Sequence, residues 1–387
     1  MKQKVAIVHP EIGLGGPDTV AVWILESLRD IYDVELIVCR DVDFQRINSL
    51  YGTSLNNDNI KVRVVKIPRF IEKSAKGRLL KQHILMRFCK RHAVEYDILF
   101  STYNEMDFGR RGIQYIHFPS MDISKNARYN LMIDKWYYKD SFLRRFYVWA
   151  AARVSNYQEK NIVSNATFVN SNWTANIVKD IYGIDAITLY PPILEDFNNG
   201  KWATRSNSFI YIGIISPDKK ISQMVSILKR IREKGYRVDF HIVGRIRGEG
   251  SGYPEQFRKL VEQNKEWVFY EGVLSREEML KLISKSKFGI HAKQEHFGIS
   301  IGELVKGGCI VFVPNEGGQA EIVGDAKRYV GFENEDDAVG KITSVLRDEA
   351  LQRELREELI ANIGKFSIEK FNDNLTSALE DFLKDSI

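Results

Sequence analysis

Short apolar runs alternate along this chain with longer intervals in which apolar residues recur every three or four positions. The runs at 5–9, 34–38, 62–67, 98–101, 114–117 and 167–170 predict strands, and the intervals at 19–31 and 77–91 predict helices. A second series follows. Strands are predicted at 209–212, 238–243, 268–270, 288–290 and 310–313, and helices at 221–234, 253–264, 276–285, 298–307 and 319–323. A long amphipathic helix at 368–383 closes the chain. This rhythm predicts an α/β fold of two doubly wound parallel sheets. Between the series, Tyr190-Pro191-Pro192 leads into the polar stretch 195–201, which reads as a linker. The expected domains are 1–192 and 203–367, with 368–387 packing back onto the first. Such sheets bind ligands beyond the carboxyl ends of their strands, so two facing halves would enclose a cleft.

A chain of 387 residues exceeds the roughly 250–300 at which one core stops growing, which agrees with two domains. No apolar run approaches the roughly 20 residues that span a bilayer, and the first residues read as a strand, so a cytoplasmic location is expected. Three scattered cysteines, Cys39, Cys89 and Cys309, suit a reducing compartment and neither a disulfide framework nor a zinc site. The net charge of +5 hides an asymmetry: residues 61–92 carry eleven Lys or Arg against one acid, Glu72. Residues 129–157 then interleave Trp136, Tyr137, Tyr138, Phe142, Phe146, Tyr147 and Trp149 with Lys135, Lys139, Arg144, Arg145 and Arg153. Basic segments 61–92 and 125–153 suit peripheral contact with an anionic membrane or a phosphate-bearing acceptor; a solvated helical face over aromatic core is the alternative. No nucleic-acid motif accompanies the charge, and no nucleic-acid partner is expected.

The densest chemistry lies at 291–303, where Glu295 and Glu303 bracket a turn opening a helix. The amides of Phe297, Gly298 and Ile299 would face outward at that helix start, where N–H groups and the helix dipole favour oxygen-rich anions. Two acceptors flanking a row of donors can hold vicinal hydroxyls beside a phosphate. Upstream, Gly13-Leu14-Gly15-Gly16-Pro17-Asp18 joins the first strand to a helix and could bring backbone close to a phosphate. It lacks the third glycine of a dinucleotide fingerprint, which disfavours a nicotinamide enzyme. His117 ends the fifth predicted strand, where it could donate to a sugar hydroxyl or to developing charge; His9 ends the first with less around it. Lys219, in Ser216-Pro217-Asp218-Lys219, opens the first helix of the second half and could neutralise a leaving diphosphate, with Arg245 a second cation at the same rim. No His/Asp cluster suggests a metal.

In order and spacing, these residues resemble the retaining glycosyltransferases of family four, which have the GT-B fold of two facing Rossmann-like domains. Within that family, Val169-Asn170-Ser171-Asn172-Trp173-Thr174, Tyr190-Pro191-Pro192 and His117-Phe118-Pro119 look most like the lipid-linked-oligosaccharide α-1,2-mannosyltransferases. The resemblance implies that Glu303 binds the donor ribose and Glu295 a hydroxyl of the transferred sugar. The amides of Phe297, Gly298 and Ile299 would hold that sugar and the diphosphate, Lys219 would bind the diphosphate, Gly15 and Gly16 would close on it, and His117 would contact the sugar near the reacting carbon. One departure stands out: the family carries Arg directly after the glycine at 213 or two residues later, and this chain has Ile214 and Ser216. Arg245 is the expected substitute.

The implied reaction moves a sugar, mannose first, from a nucleotide-sugar donor to a hydroxyl of a glycan or polyprenyl-linked glycan. GDP-mannose is favoured over UDP-sugars, and no cofactor or metal is required. The leaving phosphate can take the acceptor proton on the face it departs from, so Glu295 and Glu303 are not a nucleophile and acid pair of the glycosidase kind. An epimerase or phosphorylase on the same fold, or a membrane-associated binding protein with a decayed site, are the competing readings.

Overall fold

The computed structural model describes residues 2–13, 15–68, 71, 77–121, 142–194, 201–248 and 250–384. Residues 195–200 of the expected linker and 122–141 of the aromatic, basic segment lie outside them. The chain forms two compact units, residues 1–192 with 369–387, and residues 193–368.

In the first unit, strands β1 (Lys4–Val8), β2 (Asp33–Val38), β3 (Lys61–Val64), β4 (Ile98–Ser101), β5 (Ile113–Ile116), β6 (Ala166–Val169) and β7 (Ile187–Thr188) form one sheet. Their order is β3-β2-β1-β4-β5-β6-β7, and every pairing is parallel. Val5 of the interior strand β1 faces Val34 on one side and Ile98 on the other. Val5, Ala6, Ile7 and Val8 are all buried, because helices cover both faces of a parallel sheet; that is why the strand reads as an unbroken apolar run. Strand β5 stops at Ile116, which puts His117 one residue past the strand, and the run predicted at 62–67 is strand only to Val64.

Helix Ile368–Lys384 belongs to this unit from Glu369 onward. Phe371, Leu375, Leu379 and Phe382 line its buried face. Each such side chain contributes about 1.5–3 kcal/mol when fully buried. Ser27 Oγ donates to Asn372 Oδ1 at 2.5 Å, and the Arg111 guanidinium lies 5.2 Å from the Phe382 ring centre.

In the second unit, β8 (Ser206–Ile212), β9 (Asp239–Val243), β10 (Val268–Gly272), β11 (Ser286–Ile290), β12 (Ile310–Pro314) and β13 (Gly331–Phe332) run in the order β10-β9-β8-β11-β12-β13. These pairings are parallel too. Buried Phe209, Phe288 and Phe312 sit on three neighbouring strands, with ring centres 5.0 Å apart for the first two. Two helices that the hydrophobic pattern left unassigned, Glu335–Arg347 and Glu349–Ile363, complete the unit. Each starts on a side-chain cap, Asn334 accepting from the Asp337 N–H and Asp348 from the Leu351 N–H.

Both sheets reverse strand order once, between β1 and β4 and between β8 and β11. Loops leaving these adjacent strands diverge to opposite sides and open a crevice at their carboxyl ends, where ligands of such sheets bind.

Candidate functional site

At the β8/β11 reversal, two segments far apart in sequence emerge side by side. After β8 the chain passes Gly213 and a short turn, Pro217–Lys219, before helix Ile221–Glu233. After β11 it passes His291 to Phe297 before helix Ile299–Lys306. Four charged side chains interlock between them. Lys219 Nζ donates to Glu295 Oε1 at 2.5 Å, and Lys293 Nζ donates to Asp218 Oδ2 at 2.6 Å. Ser216 Oγ takes the other carboxylate oxygen, Asp218 Oδ1, at 2.7 Å. Burial pushes the Asp218 carboxyl upward, but the bonds from Lys293 and Ser216 outweigh it and hold the group below its ordinary range.

Beneath this ladder lie two buried rings. Tyr211 donates its hydroxyl to the Ile214 carbonyl at 3.0 Å. Burial, followed by the charges of Glu295 and Asp218, drives that phenol well up, so it remains a neutral donor. His291 packs on Tyr211 with ring centres 4.8 Å apart. Burial, followed by the Lys219 charge, lowers its imidazole to about 3, and its Nε2 finds no hydrogen-bond partner among the described residues.

The loop carrying Glu295 is pinned from β12. The Glu295 N–H donates to Gln319 Oε1 at 2.7 Å, and the Gly318 N–H donates to the Glu295 carbonyl at 2.8 Å. A Cβ on Gly318 would stand 1.9 Å from the His296 carbonyl oxygen, so the turn tolerates only glycine there. Gly298, at φ 105°, forms the left-handed corner into helix Ile299–Lys306. Its carbonyl accepts from the Ile301 and Gly302 amides, which leaves Gly298 and Ile299 at the helix start. Phe297 faces inward, its ring 5.4 Å from Phe366.

Glu303 stands on the second turn of that helix, in a pair of its own: Arg276 Nη1 donates to Glu303 Oε1 at 2.7 Å. Burial raises the Glu303 carboxyl, and the Arg276 guanidinium only partly offsets it. Arg245 follows β9 with an exposed side chain, and its carbonyl accepts from the Ile215 N–H at 3.0 Å. Its loop therefore borders the Lys219 loop. Its side chain joins none of the four-charge ladder.

The first-unit candidates gather around Thr102, directly after β4. His117 Nε2 donates to the Thr102 carbonyl at 3.1 Å. Burial lowers this imidazole to about 3, so it is neutral. The donor role expected of His117 is thus taken by Thr102, and Nδ1 is left as an acceptor for a hydroxyl. His9 makes a fuller set of contacts than the sequence suggested: Nδ1 to Thr102 Oγ1 at 2.9 Å, Nε2 to Asp18 Oδ1 at 3.1 Å, and an edge contact with Tyr103. The Gly15 N–H, expected to face a phosphate, donates to Asp18 Oδ2 at 2.5 Å, and Gly16 begins the helix.

The sequence pointed to Lys219, Glu295 and Glu303 but not to Lys293 and Asp218, which form the adjoining ion pair, to the stacked Tyr211 and His291, or to Arg276, the partner of Glu303. The signal that could have found the first two was the strand-end position of His291-Ala292-Lys293 facing Pro217-Asp218-Lys219 once β8 and β11 are neighbours. Among the described residues, no group of three or more His, Cys, Asp or Glu is placed to hold a metal ion, and no helix is long and apolar enough to cross a membrane.

Comparisons with known proteins bear on the same region. The family model described as Glycosyl transferases group 1 matches residues 193–366, which cover nearly the whole second unit. A Dictyostelium discoideum protein named GDP-Man:Man(3)GlcNAc(2)-PP-Dol alpha-1,2-mannosyltransferase is 24% identical over 369 residues, 82% of this chain and 72% of its own length. The Homo sapiens protein of the same name is 24% identical over 300 residues, and the match spans only 60% of that protein. Among solved structures, HepE of Anabaena in complex with UDP and glucose aligns with a TM-score of 0.68 at 15% identity, over 98% of this chain and 100% of its own. Sucrose-phosphate synthase from Thermosynechococcus elongatus aligns at 0.70 and 15% identity, over 99% and 100%. With two Rossmann-like parallel sheets the chain has the GT-B fold of the aligned solved structures, and its second unit, over residues 193–366, is a group 1 glycosyl transferase domain.

Proposed function

We propose that this chain is a retaining, metal-independent hexosyltransferase that moves mannose from GDP-mannose to a hydroxyl of a polyprenyl-linked glycan. The observation that carries the reading is the pairing of Lys219 with Glu295 at the β8/β11 reversal. It sets an ammonium for a diphosphate beside a carboxylate for a sugar hydroxyl, in the crevice where parallel sheets take their ligands. The mannosyl donor and lipid-linked acceptor come from the names of the matched relatives, which GDP-mannose and a dolichol-linked glycan describe.

As the glycosidic bond breaks, negative charge grows on the diphosphate. Lys219 and the helix start at Gly298 and Ile299 stabilise that charge without a metal. The departing phosphate oxygen accepts the acceptor hydroxyl's proton, and the hydroxyl attacks from the same face, so the anomeric configuration is kept. Glu295 accepts a hydrogen bond from the transferred sugar and Glu303 from the ribose.

The enzyme would work at the cytoplasmic face of an anionic membrane, through residues 61–92 and 125–153. Helix Phe142–Ser155 supports this, since Phe142 and Phe146 are 82% and 57% exposed and Arg153 lies 5.0 Å from the centre of the exposed Trp149 ring. The test supplies labelled GDP-mannose or UDP-glucose, with and without a polyprenyl-linked acceptor and with EDTA. Acceptor-dependent transfer of α-mannose that survives EDTA is expected. Product without acceptor, or only with inorganic phosphate, would instead establish an epimerase or a phosphorylase.

A further inference from the structure

A sugar diphosphate carries two negative charges while bound, and a third develops as the sugar leaves; Lys219 alone neutralises one. The same crevice holds a second ammonium that no part of the reading above uses. Lys293 is only 9% exposed, and a lysine so withdrawn from water is rare without a charged partner. Its partner is Asp218, the neighbour of Lys219 in the turn after β8. The two lysines and two carboxylates form a self-neutralised set in which each ammonium rests on an acid.

We infer that Lys293 is a second diphosphate ligand, bound to Asp218 until the donor arrives and to a phosphate oxygen afterwards. This rests on the nucleotide-sugar reading of the site. Three features make the exchange feasible. Asp218 stays partnered after Lys293 leaves, because Ser216 holds its other oxygen at 2.7 Å. The loop that carries Lys293 stays in place, because Gln319 and Gly318 pin it through the Glu295 backbone. A lysine ammonium on a four-carbon stem can swing between two anions while its Cα is fixed. Phosphate oxygens compete well with a carboxylate for that ammonium, since both make charge-assisted hydrogen bonds.

The test compares affinities for GDP, UDP and GMP by calorimetry and by thermal shift. The variants are Lys293→Met, Lys293→Arg, Asp218→Asn and the double variant Lys293→Met/Asp218→Asn, which leaves no unpaired buried charge. Lys293→Met and the double variant are expected to weaken GDP or UDP binding by about tenfold to a hundredfold and to leave GMP within about twofold. Lys293→Arg retains the diphosphate preference. Asp218→Asn, which keeps the ammonium and removes its resting partner, retains it too. If the folded double variant binds GDP as the wild type does, the inference is overturned. If Asp218→Asn alone reproduces the loss, Lys293 acts only by holding Asp218, and the inference is again overturned. A wild type with no preference for diphosphate over monophosphate would instead remove the nucleotide-sugar reading itself.

Discussion

Lys219 and Glu295 are 76 positions apart in sequence and 2.5 Å apart at their charged atoms. The contact exists because β8 and β11 are neighbours in the sheet, although two strands come between them in sequence. Both side chains remain partly open to solvent, at 19% and 18%. Breaking the pair therefore strands neither charge in a dry interior.

Lys219→Met is accordingly expected to lower transfer by about 10²–10³-fold, the usual scale for losing one stabiliser of developing charge, while melting within a few degrees of wild type. Initial rates with labelled donor and a melting curve on the same preparation check both halves. Near-normal turnover would remove Lys219 from the site.

Gly318→Ala separates position from chemistry. The new Cβ would meet the His296 carbonyl oxygen at 1.9 Å and displace the loop that presents Glu295. A misplacement of roughly 1 Å can cost about 10²-fold in rate. Turnover is expected to fall far more than stability, with the folded fraction read by circular dichroism. Unchanged turnover would show that the loop position does not set the rate.

Gly302→Ala tests packing beneath Glu303. Its Cβ would lie 2.0 Å from Ile193 Cδ1 and 2.9 Å from Cγ1. Overpacking of this kind costs about 1–3 kcal/mol. The double variant Gly302→Ala/Ile193→Val removes the Cδ1 atom and should recover part of that loss, a coupling that urea unfolding of the four proteins would reveal. Additive effects would contradict the contact.

Three buried histidines set a pH dependence. Burial lowers His117 and His291 to about 3 and His83 to about 4, against about 6.5 in an unfolded chain. The unfolded state therefore binds more protons between about pH 4 and 6.5. Stability is full above that window and falls as pH drops through it, by up to about 1.4 kcal/mol per pH unit for each histidine. Glu303, raised by burial, works in the opposite sense at the acid end. Urea midpoints at pH 7.5, 6 and 5 should decline in that order, and His83→Asn should flatten the decline. A flat profile in the wild type would show that these rings are not held neutral.

The alternation of strands and helices was legible because both faces of each parallel sheet are covered, which leaves strands such as β1 and β12 solid apolar runs. Strand order was not legible. Nothing in residues 286–290 says that they lie beside 206–212 and not beside 268–272, yet that adjacency creates both lysine pairs. The Glu295 and Glu303 spacing was readable because it falls on one turn and one helix. Arg276, which neutralises Glu303, comes from a helix 27 positions away and gave no local sign. His9 was passed over for a similar reason: its partners Thr102 and Asp18 meet it only across the β1/β4 reversal. Helices Glu335–Arg347 and Glu349–Ile363 were missed because charged residues crowd the narrow apolar stripe of each.

The helix Ile368–Lys384 makes the first unit discontinuous, with residues 193–368 inserted into it. During synthesis the strands of the first sheet emerge early, but Ser27 and Arg111 must wait for Asn372 and Phe382 until the entire second unit has been made. The second unit can close on its own residues before the first has received its last helix. Loss of residues beyond 368 would therefore damage the unit at the opposite end of the sequence and spare the one that directly precedes the cut.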